Sequence, residues 1–225
     1  MKKVGLLVFF LALTVGFVFS NGCGFGKFGN LRGVRGSGMP KSETRNVSGF
    51  KAIEAGSAVN LEITAQKDFS LEIQADDNLL ELIKTEVQGD TLKIYNEESI
   101  STKTDINVKI SMPEITSMDI SGASSANVSG VKSDLLKLEA SGASKIKIDG
   151  EANSLEIDAS GASTVDAENL LVENAKAQAS GASKAIVSAN NEVKADASGA
   201  SSIYYTGEPK NVAQQSSGAS SVKRK

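Results

Sequence analysis

The sequence of 225 residues contains no histidine and no tryptophan, and only three prolines. Without histidine it lacks the commonest general base and the commonest metal ligand of proteins, and it cannot build a Ser-His-Asp or Cys-His catalytic arrangement. These absences favour a protein that is not an enzyme and that holds no metal ion and no cofactor.

Cysteine and basic runs are also scarce. Cys23 is the only cysteine, so the chain cannot form an internal disulfide. The 24 Lys and Arg residues are balanced by 27 Asp and Glu residues, and no long basic run precedes the last three residues. A nucleic-acid-binding surface needs clustered positive charge, so we expect no nucleic-acid partner.

The N-terminal segment has the features of an export signal. A basic start, Met1–Lys3, is followed by an apolar stretch over residues 4–19 that is short for a membrane span. We therefore predict a signal peptide over residues 1–22. Cys23 stands where a bacterial lipoprotein carries its lipid-modified cysteine, which predicts an acyl anchor in a membrane. Simple cleavage after Gly22, without lipidation, is the alternative.

The chain after the signal divides into a spacer and one domain. Residues 23–46 are rich in glycine and basic residues and lack apolar periodicity, which predicts a flexible linker. A single folded domain is expected over residues 47–225, with degenerate repeats over 47–117 and regular repeats over 118–225. The signal and the anchor together predict an exported protein of the cell envelope, held at the outer membrane and facing either the periplasm or the outside.

Period-two alternation of apolar residues predicts β-strands from Phe50 onward. Val59, Leu61 and Ile63 alternate with polar residues, and similar short runs follow. Turn-forming residues separate the runs, and residues 78–85 could form a single helical turn because their leucines have helical spacing. The pattern as a whole indicates an all-β protein.

The phrase Ser-Gly-Ala-Ser occurs six times in the second half of the chain. Successive glycines of the phrase are 20, 19, 20, 18 and 19 residues apart. Such periodicity is typical of stacked repeats, in which each repeat contacts its neighbours. The turn glycines of the phrase are Gly122, Gly142, Gly161, Gly181, Gly199 and Gly218.

Alignment of the repeats on the glycine predicts the fold. Positions six, four and two before it are mostly apolar, as are positions four and six after it. Each repeat thus offers two short strands with one apolar face, and stacking of the repeats buries that face. We predict a right-handed parallel β-helix, a β-solenoid with coils of about 19 residues and a narrow alanine-rich interior. An antiparallel β-sandwich is the alternative.

The phrase itself allows two interpretations. Its glycine is expected at positive φ in a tight turn, with the alanine directed inward and the serines bonded to nearby backbone. Alternatively, the first serine of each phrase belongs to a surface ladder of hydroxyls, spaced ~4.8 Å apart, that could meet a periodic ligand such as a glycan. This ladder would contain Ser121, Ser141, Ser160, Ser180, Ser198 and Ser217.

A second outward column, three residues before each glycine, is mostly acidic. We expect a solvated face on which neighbouring lysines offset the charge. A calcium ladder is disfavoured because its Gly-Gly-x-Gly-x-Asp repeat is missing. A carboxylate pair for glycoside cleavage, such as Glu139 and Asp158, would need a shielded cleft, and no long insertion is present to build one. The column contains Asp119, Glu139, Asp158, Gln178, Asp196 and Gln215.

Several of these segments resemble one known family. The matching elements are Arg-Asn-Val-Ser-Gly-Phe-Lys-Ala-Ile over residues 45–53, Val-Gln-Gly-Asp-Thr-Leu-Lys-Ile over residues 87–94, the serial Ser-Gly-Ala phrases, and Tyr-Thr-Gly-Glu-Pro over residues 205–209. With these elements the chain resembles the putative auto-transporter adhesin family with a head GIN domain. The resemblance implies an exported, parallel β-helical protein of the cell envelope with a role in adhesion, and it brings no catalytic residues.

These observations predict a non-enzymatic, lipid-anchored envelope protein whose β-solenoid serves adhesion or scaffolding. A polysaccharide-binding or polysaccharide-processing β-helix is one alternative, and a self-assembling structural protein is another. The partners expected are a membrane, through Cys23, and a glycan or surface protein as ligand. Further copies of the chain are a third expected partner.

Overall fold

A computed structural model describes residues 33–225, which form an almost entirely β structure with a single short 3-10 turn at Leu80–Leu82. The predicted signal peptide, Cys23 and the first part of the predicted linker lie outside these residues. The strands are β1 (Val34–Arg35), β2 (Pro40–Thr44), β3 (Ala52–Ala55), β4 (Val59–Ala65), β5 (Ser70–Asp76), β6 (Ile83–Gln88), β7 (Thr91–Asn96), β8 (Ile100–Ser101), β9 (Ile106–Met112), β10 (Ser117–Ile120), β11 (Ser125–Ala140), β12 (Lys145–Ala159), β13 (Thr164–Ala179), β14 (Lys184–Ala197), β15 (Ser202–Thr206), β16 (Asn211–Ser216) and β17 (Ser221–Arg224).

The regular repeats form a parallel stack. Strands β11 to β14 each pair in parallel with the next, and equivalent positions of the repeat lie opposite one another, as Leu138, Ile157, Ala177 and Ala195 do. This pairing confirms the β-solenoid, and the antiparallel sandwich is wrong. In the described part of the chain, antiparallel pairing joins only β2 to β5, β5 to β9 and β6 to β7.

Each coil has three straight sides instead of the two that the sequence predicts. In β13 the buried residues follow every second position except at two points, after Ala167 and after Val172, where the spacing becomes three residues. The chain turns at these points and at the Ser-Gly-Ala-Ser phrase. We call the side after the phrase the first side, the short middle one the second side, and the one leading to the next phrase the third side.

The interior of the stack is narrow, as the sequence predicts. The inward residues nearest the phrase on the third side are small, and Ala140, Ala159, Ala179 and Ala197 are each at most 3% exposed. Larger apolar side chains fill the N-terminal coils, where Phe50 packs against Phe69 with ring centroids 4.9 Å apart. Because alanine side chains are short, the three sides of each regular coil can pack close to one another.

The first coils do not stack in chain order. Strand β3 pairs on one side with β10, which follows it by about 60 residues, and on the other with β7. Strand β4 likewise lies between β9 and β11. The coil formed by β3 and β4 comes first in the sequence but second in the stack. It lies between the coil formed by β7 and β9 and the first regular coil. Strands β5 and β6 cover that N-terminal end by antiparallel pairing.

The folded domain begins before Val47, which corrects the prediction of a flexible linker as far as Asn46. Strand β1 pairs in parallel with β8, and β2 pairs with β5. All five residues of β2 are exposed, so this edge strand has no apolar alternation that a sequence could reveal. Its composition resembles that of a linker because it buries none of its side chains.

Asp76 fastens this N-terminal segment to the domain. Its side chain is buried and accepts hydrogen bonds from the backbone N–H groups of Gly38 (3.0 Å) and Lys103 (2.8 Å) and from the Thr104 hydroxyl (2.9 Å). The hydrogen bond from Lys103 is the main reason that the pKa of Asp76 lies below its ordinary value. One carboxylate thus joins three separate segments of the chain.

The glycines of the phrase stack directly on one another. All six have φ between 70° and 75°. The Ala162 N–H donates to the Gly142 carbonyl at 2.7 Å, and the same bond recurs at the following corners. A Cβ placed on Gly161 would lie 2.7 Å from the Gly142 oxygen. Both the positive φ and the close approach of the neighbouring coil therefore require glycine here.

Replacement of a stacked glycine should cost more than replacement of a glycine that is merely at positive φ. We expect Gly161→Ala to lower the free energy of unfolding by about 2–5 kcal/mol, because it combines a left-handed backbone with a steric contact. Gly89→Ala is the matched control, since Gly89 has φ 65° but nothing within 4 Å of its Cβ position. It should lose only about 1–2 kcal/mol. Urea unfolding of both variants measures the difference, and equal losses would show that the stacking imposes no constraint.

Candidate binding surfaces

The first serine of each phrase lies at the corner of the coil. These serines are half-buried except Ser217, which is exposed. Their backbone N–H groups continue the ladder between coils, as Ser180 does by donating to the Ala159 carbonyl at 2.8 Å. The structure therefore brings the predicted hydroxyl ladder together in one column. Except for Ser217, these serines are less exposed than the glycine and the alanine that follow them at the corner.

The serine at the fourth position of each phrase points inward, and the alanine before it is exposed. The expectation of an inward alanine is therefore wrong. The reason is that the tight turn ends at the alanine, and the next side chain enters the interior. Ser183 Oγ donates to the Ala159 carbonyl at 2.9 Å, which therefore accepts two hydrogen bonds from the next coil. Equivalent bonds come from Ser163, Ser201 and Ser220.

Ser144 is the exception among these inward serines, because its buried hydroxyl has no hydrogen-bond partner. The residue that would offer the equivalent carbonyl is Ile120, where the later coils carry alanine. The two kinds of inward serine allow a matched comparison of a satisfied and an unsatisfied hydroxyl in the same repeat position.

We expect Ser183→Ala to lower the free energy of unfolding by about 0.5–1.5 kcal/mol, the usual net value of one hydrogen bond. Ser144→Ala should leave stability unchanged or raise it, because it removes a buried hydroxyl that has no partner. Thermal or urea unfolding of both variants provides the test. A larger loss for Ser144→Ala than for Ser183→Ala would contradict this account of the inward serines.

The acidic column lies on the third side, in register across the coils. Asp119 is opposite Glu139, which is opposite Asp158, and Glu54 extends the column toward the N-terminal end. Lysines pair with several acids on this side, as Lys93 does with Glu54 at 3.0 Å. Glu139 and Asp158 lie side by side and line a small depression of about 260 Å³ together with Lys137, Glu156 and Lys176. Glu139 is half-buried and Asp158 is exposed. Over residues 33–225, no three acidic or cysteine side chains are arranged to hold a metal ion.

Asp119 has the most perturbed environment of this column. Desolvation raises its pKa above the ordinary value of 3.8, and the nearby carboxylates of Glu139 and Glu54 raise it further. A raised pKa means that the folded protein binds this proton more tightly than the unfolded chain does. Ionisation of Asp119 therefore costs stability, and the cost is present at neutral pH and absent in acid.

Asp119→Asn should consequently stabilise the protein at pH 7, because it removes one of several adjacent negative charges. The gain should shrink as the pH falls through the pKa of Asp119 and should vanish near pH 3, where the native carboxyl is also neutral. Denaturant unfolding across this pH range measures it. A gain that persists unchanged at pH 3 would mean that electrostatic repulsion is not the cause.

A groove of about 550 Å³ lies on the second side, which sequence reasoning did not identify. It crosses β11 to β14, and its lining includes Asp134, Asn153, Glu173, Asn190 and Leu171. Next to the groove, Glu168–Leu170 of β13 have no partners in the shorter coil of β14. The spacing of 20 residues followed by 18 between the phrase glycines reflects this difference in coil length. Further depressions lie beside the N-terminal coils, across β4, β11 and β12, and around Glu139 and Asp158.

In the part of the chain that the structure describes, no helix is long and apolar enough to cross a bilayer. The sequence was also compared with known proteins. A family model described as "Putative auto-transporter adhesin, head GIN domain" matches residues 49–209, which include most of the solenoid. No curated protein matches the sequence significantly.

Solved structures share the fold. A putative adhesin from Bacteroides fragilis is 22% identical with a TM-score of 0.71, and the alignment covers 86% of this chain and all of that one. A putative adhesin from Parabacteroides merdae is 18% identical with a TM-score of 0.55, covering 85% and 98% of the two chains. A putative lipid binding protein from Parabacteroides distasonis is 17% identical with a TM-score of 0.54, covering 85% and 99%. At these identities the likeness concerns the fold.

Proposed function

The chain belongs to the putative auto-transporter adhesin family, head GIN domain, and from this premise we propose that it is a non-enzymatic adhesion module of the cell envelope. The observation that carries the proposal is the extent of the match, which covers residues 49–209 and so includes the regular coils as well as the N-terminal ones. A β-solenoid suits this role because its stacked coils present long, regular surfaces that are rigidly spaced.

The non-enzymatic part of the proposal is supported by the placement of the acidic residues. General acid and nucleophile carboxylates need environments that separate their pKa values, which requires shielding from water. Glu139 and Asp158 are the pair that a polysaccharide-cleaving enzyme could use, and they line one small depression at the surface. Glu139 is only half-buried and forms an ion pair with Lys137, and Asp158 is exposed, so neither carboxylate is shielded from water. The sequence also contains no histidine that could replace them as a general base.

We further propose that the module is held at a membrane by acyl chains on Cys23 and that it is exported by the predicted signal peptide. The support is the order of features in the sequence, a basic start followed by an apolar stretch and a cysteine. Only nine residues separate Cys23 from Gly33, where the described domain begins, and they can span at most about 32 Å. Such a short tether would keep the N-terminal end of the stack close to the lipid surface.

Expression of the full chain in a bacterial host that exports lipoproteins tests this function. We expect the host to gain adhesion to surfaces coated with polysaccharide, mucin or matrix protein, and we expect the protein to incorporate labelled palmitate. Cys23→Ser should abolish labelling and cell adhesion, because the module is no longer retained, while the purified domain should still bind the same coated surface. Protease treatment of intact cells reports whether the module faces outward.

Three results would contradict parts of this proposal. Wild-type cells that adhere no better than the host to any of the surfaces would reject the adhesion role. Full palmitate labelling of Cys23→Ser would reject the anchor. Release of shorter oligosaccharides from a polysaccharide coat by the purified domain would show that the protein is an enzyme.

A further inference from the structure

The groove on the second side combines a polar column with an exposed apolar side chain. One wall is a polar column in which Asp134, Asn153, Glu173 and Asn190 come from four successive strands, β11 to β14. Asn153 Nδ2 donates to Asp134 Oδ1 at 2.7 Å, which fixes the orientation of that amide. Carboxylates only accept hydrogen bonds, whereas amides both donate and accept. The column can therefore bind hydroxyl groups as donors and as acceptors.

The other surface is apolar. Leu171 lines the groove and is 55% exposed, although its neighbours in register, Glu151 and Ser188, are polar. Exposed large apolar residues are few among residues 33–225, and three of them lie on the regular coils, namely Leu135, Leu171 and Val212. Leu135 has a similar exposure of 52% but does not line the groove. An exposed leucine facing a wall of amides and carboxylates suits a ligand with one polar edge and one apolar face, as a pyranose ring has.

The direction of the groove indicates a chain-like ligand. It runs across successive strands, so the polar side chains of its wall recur at the coil spacing of ~4.8 Å. This spacing is close to the length of one sugar residue in an extended chain. A linear saccharide lying along the groove could thus place one residue on each coil and meet one amide or carboxylate from each.

The charge of the groove restricts the ligand further. Four carboxylates, from Glu114, Asp134, Glu151 and Glu173, contribute to the lining, against one positive charge from Lys132. Glu114 is paired with Lys51 at 2.8 Å, so an excess of two negative charges remains. Glycans that carry uronic or sialic acids would be repelled by this excess of negative charge. Neutral sugars are not, because carboxylates are good acceptors for hydroxyl groups.

We propose that this groove binds a linear, neutral saccharide chain, with Asp134, Asn153, Glu173 and Asn190 as hydrogen-bonding residues and Leu171 as the apolar platform. The inference rests on the proposed adhesion function and names its ligand class and its site. It assigns ligand binding to the irregular second side rather than to the serine ladder at the corner.

The test uses the purified domain, residues 24–225, and defined linear hexasaccharides. Cellohexaose and chitohexaose are the neutral probes, and hexagalacturonate is the anionic one. We expect calorimetry to detect binding of at least one neutral hexasaccharide and no binding of the anionic one. NMR should show chemical-shift changes of the Asn153 and Asn190 side-chain amides when the neutral hexasaccharide is added. Glu173→Gln and Leu171→Ser should each weaken binding by about tenfold or more. The matched controls, Glu72→Gln and Leu135→Ser, change the same residue types outside the groove and should bind normally.

The outcomes separate this inference from the adhesion function. Absence of binding by all neutral hexasaccharides at millimolar concentration, or stronger binding of hexagalacturonate, overturns the groove assignment. The assignment also fails if Leu171→Ser and Glu173→Gln bind normally while Ser160→Ala and Ser180→Ala lose binding, since the ladder would then be the site. If cells that carry the groove variants still adhere as well as wild type, the inference is wrong and the adhesion function stands. Circular dichroism of each variant confirms that it is folded.

Discussion

The structure depends on close stacking of backbone on backbone at one corner of every regular coil. Glycine lies over glycine, the carbonyl of one coil accepts the N–H of the next at 2.7 to 2.8 Å, and the ladder of hydrogen bonds continues around the turn without a break. Because no side chain separates the coils there, their spacing is set by hydrogen-bond length alone. The two strands that leave the corner therefore begin in register in every coil, and their apolar residues align without further specification.

The inward serines follow from the same geometry. At the end of the third side, one backbone carbonyl lies close to the interior. It accepts one hydrogen bond from the backbone N–H of the next coil, as the Ala159 carbonyl does from Ser180. In four of the six phrases, the serine two residues after the glycine supplies a second bond from inside the coil. The glycine of the phrase is thus required by backbone conformation, the alanine is exposed at the surface, and the last serine in these four phrases joins neighbouring coils through its hydroxyl.

The sequence predicts the regular coils well because each depends mainly on its nearest neighbours. Constant spacing and period-two alternation are enough to specify parallel stacking from Gly122 onward. The N-terminal coils depend on contacts between distant segments, so the position of β3 between β7 and β10 could not be read from local patterns. Strand β2 was missed because it is exposed throughout. The groove could not be read from the repeats because its lining residues differ in type from coil to coil, as Asp134, Asn153, Glu173 and Asn190 do.

The corner contacts also bear on how such a chain can change in evolution. Each glycine corner contacts only the corner before it and the one after it. A segment of about 19 residues therefore corresponds to one coil of the stack. Insertion or deletion of one such segment would add or remove a whole coil and leave the contacts within the other coils in place. A stack of this kind can therefore change in length while it keeps the same cross-section.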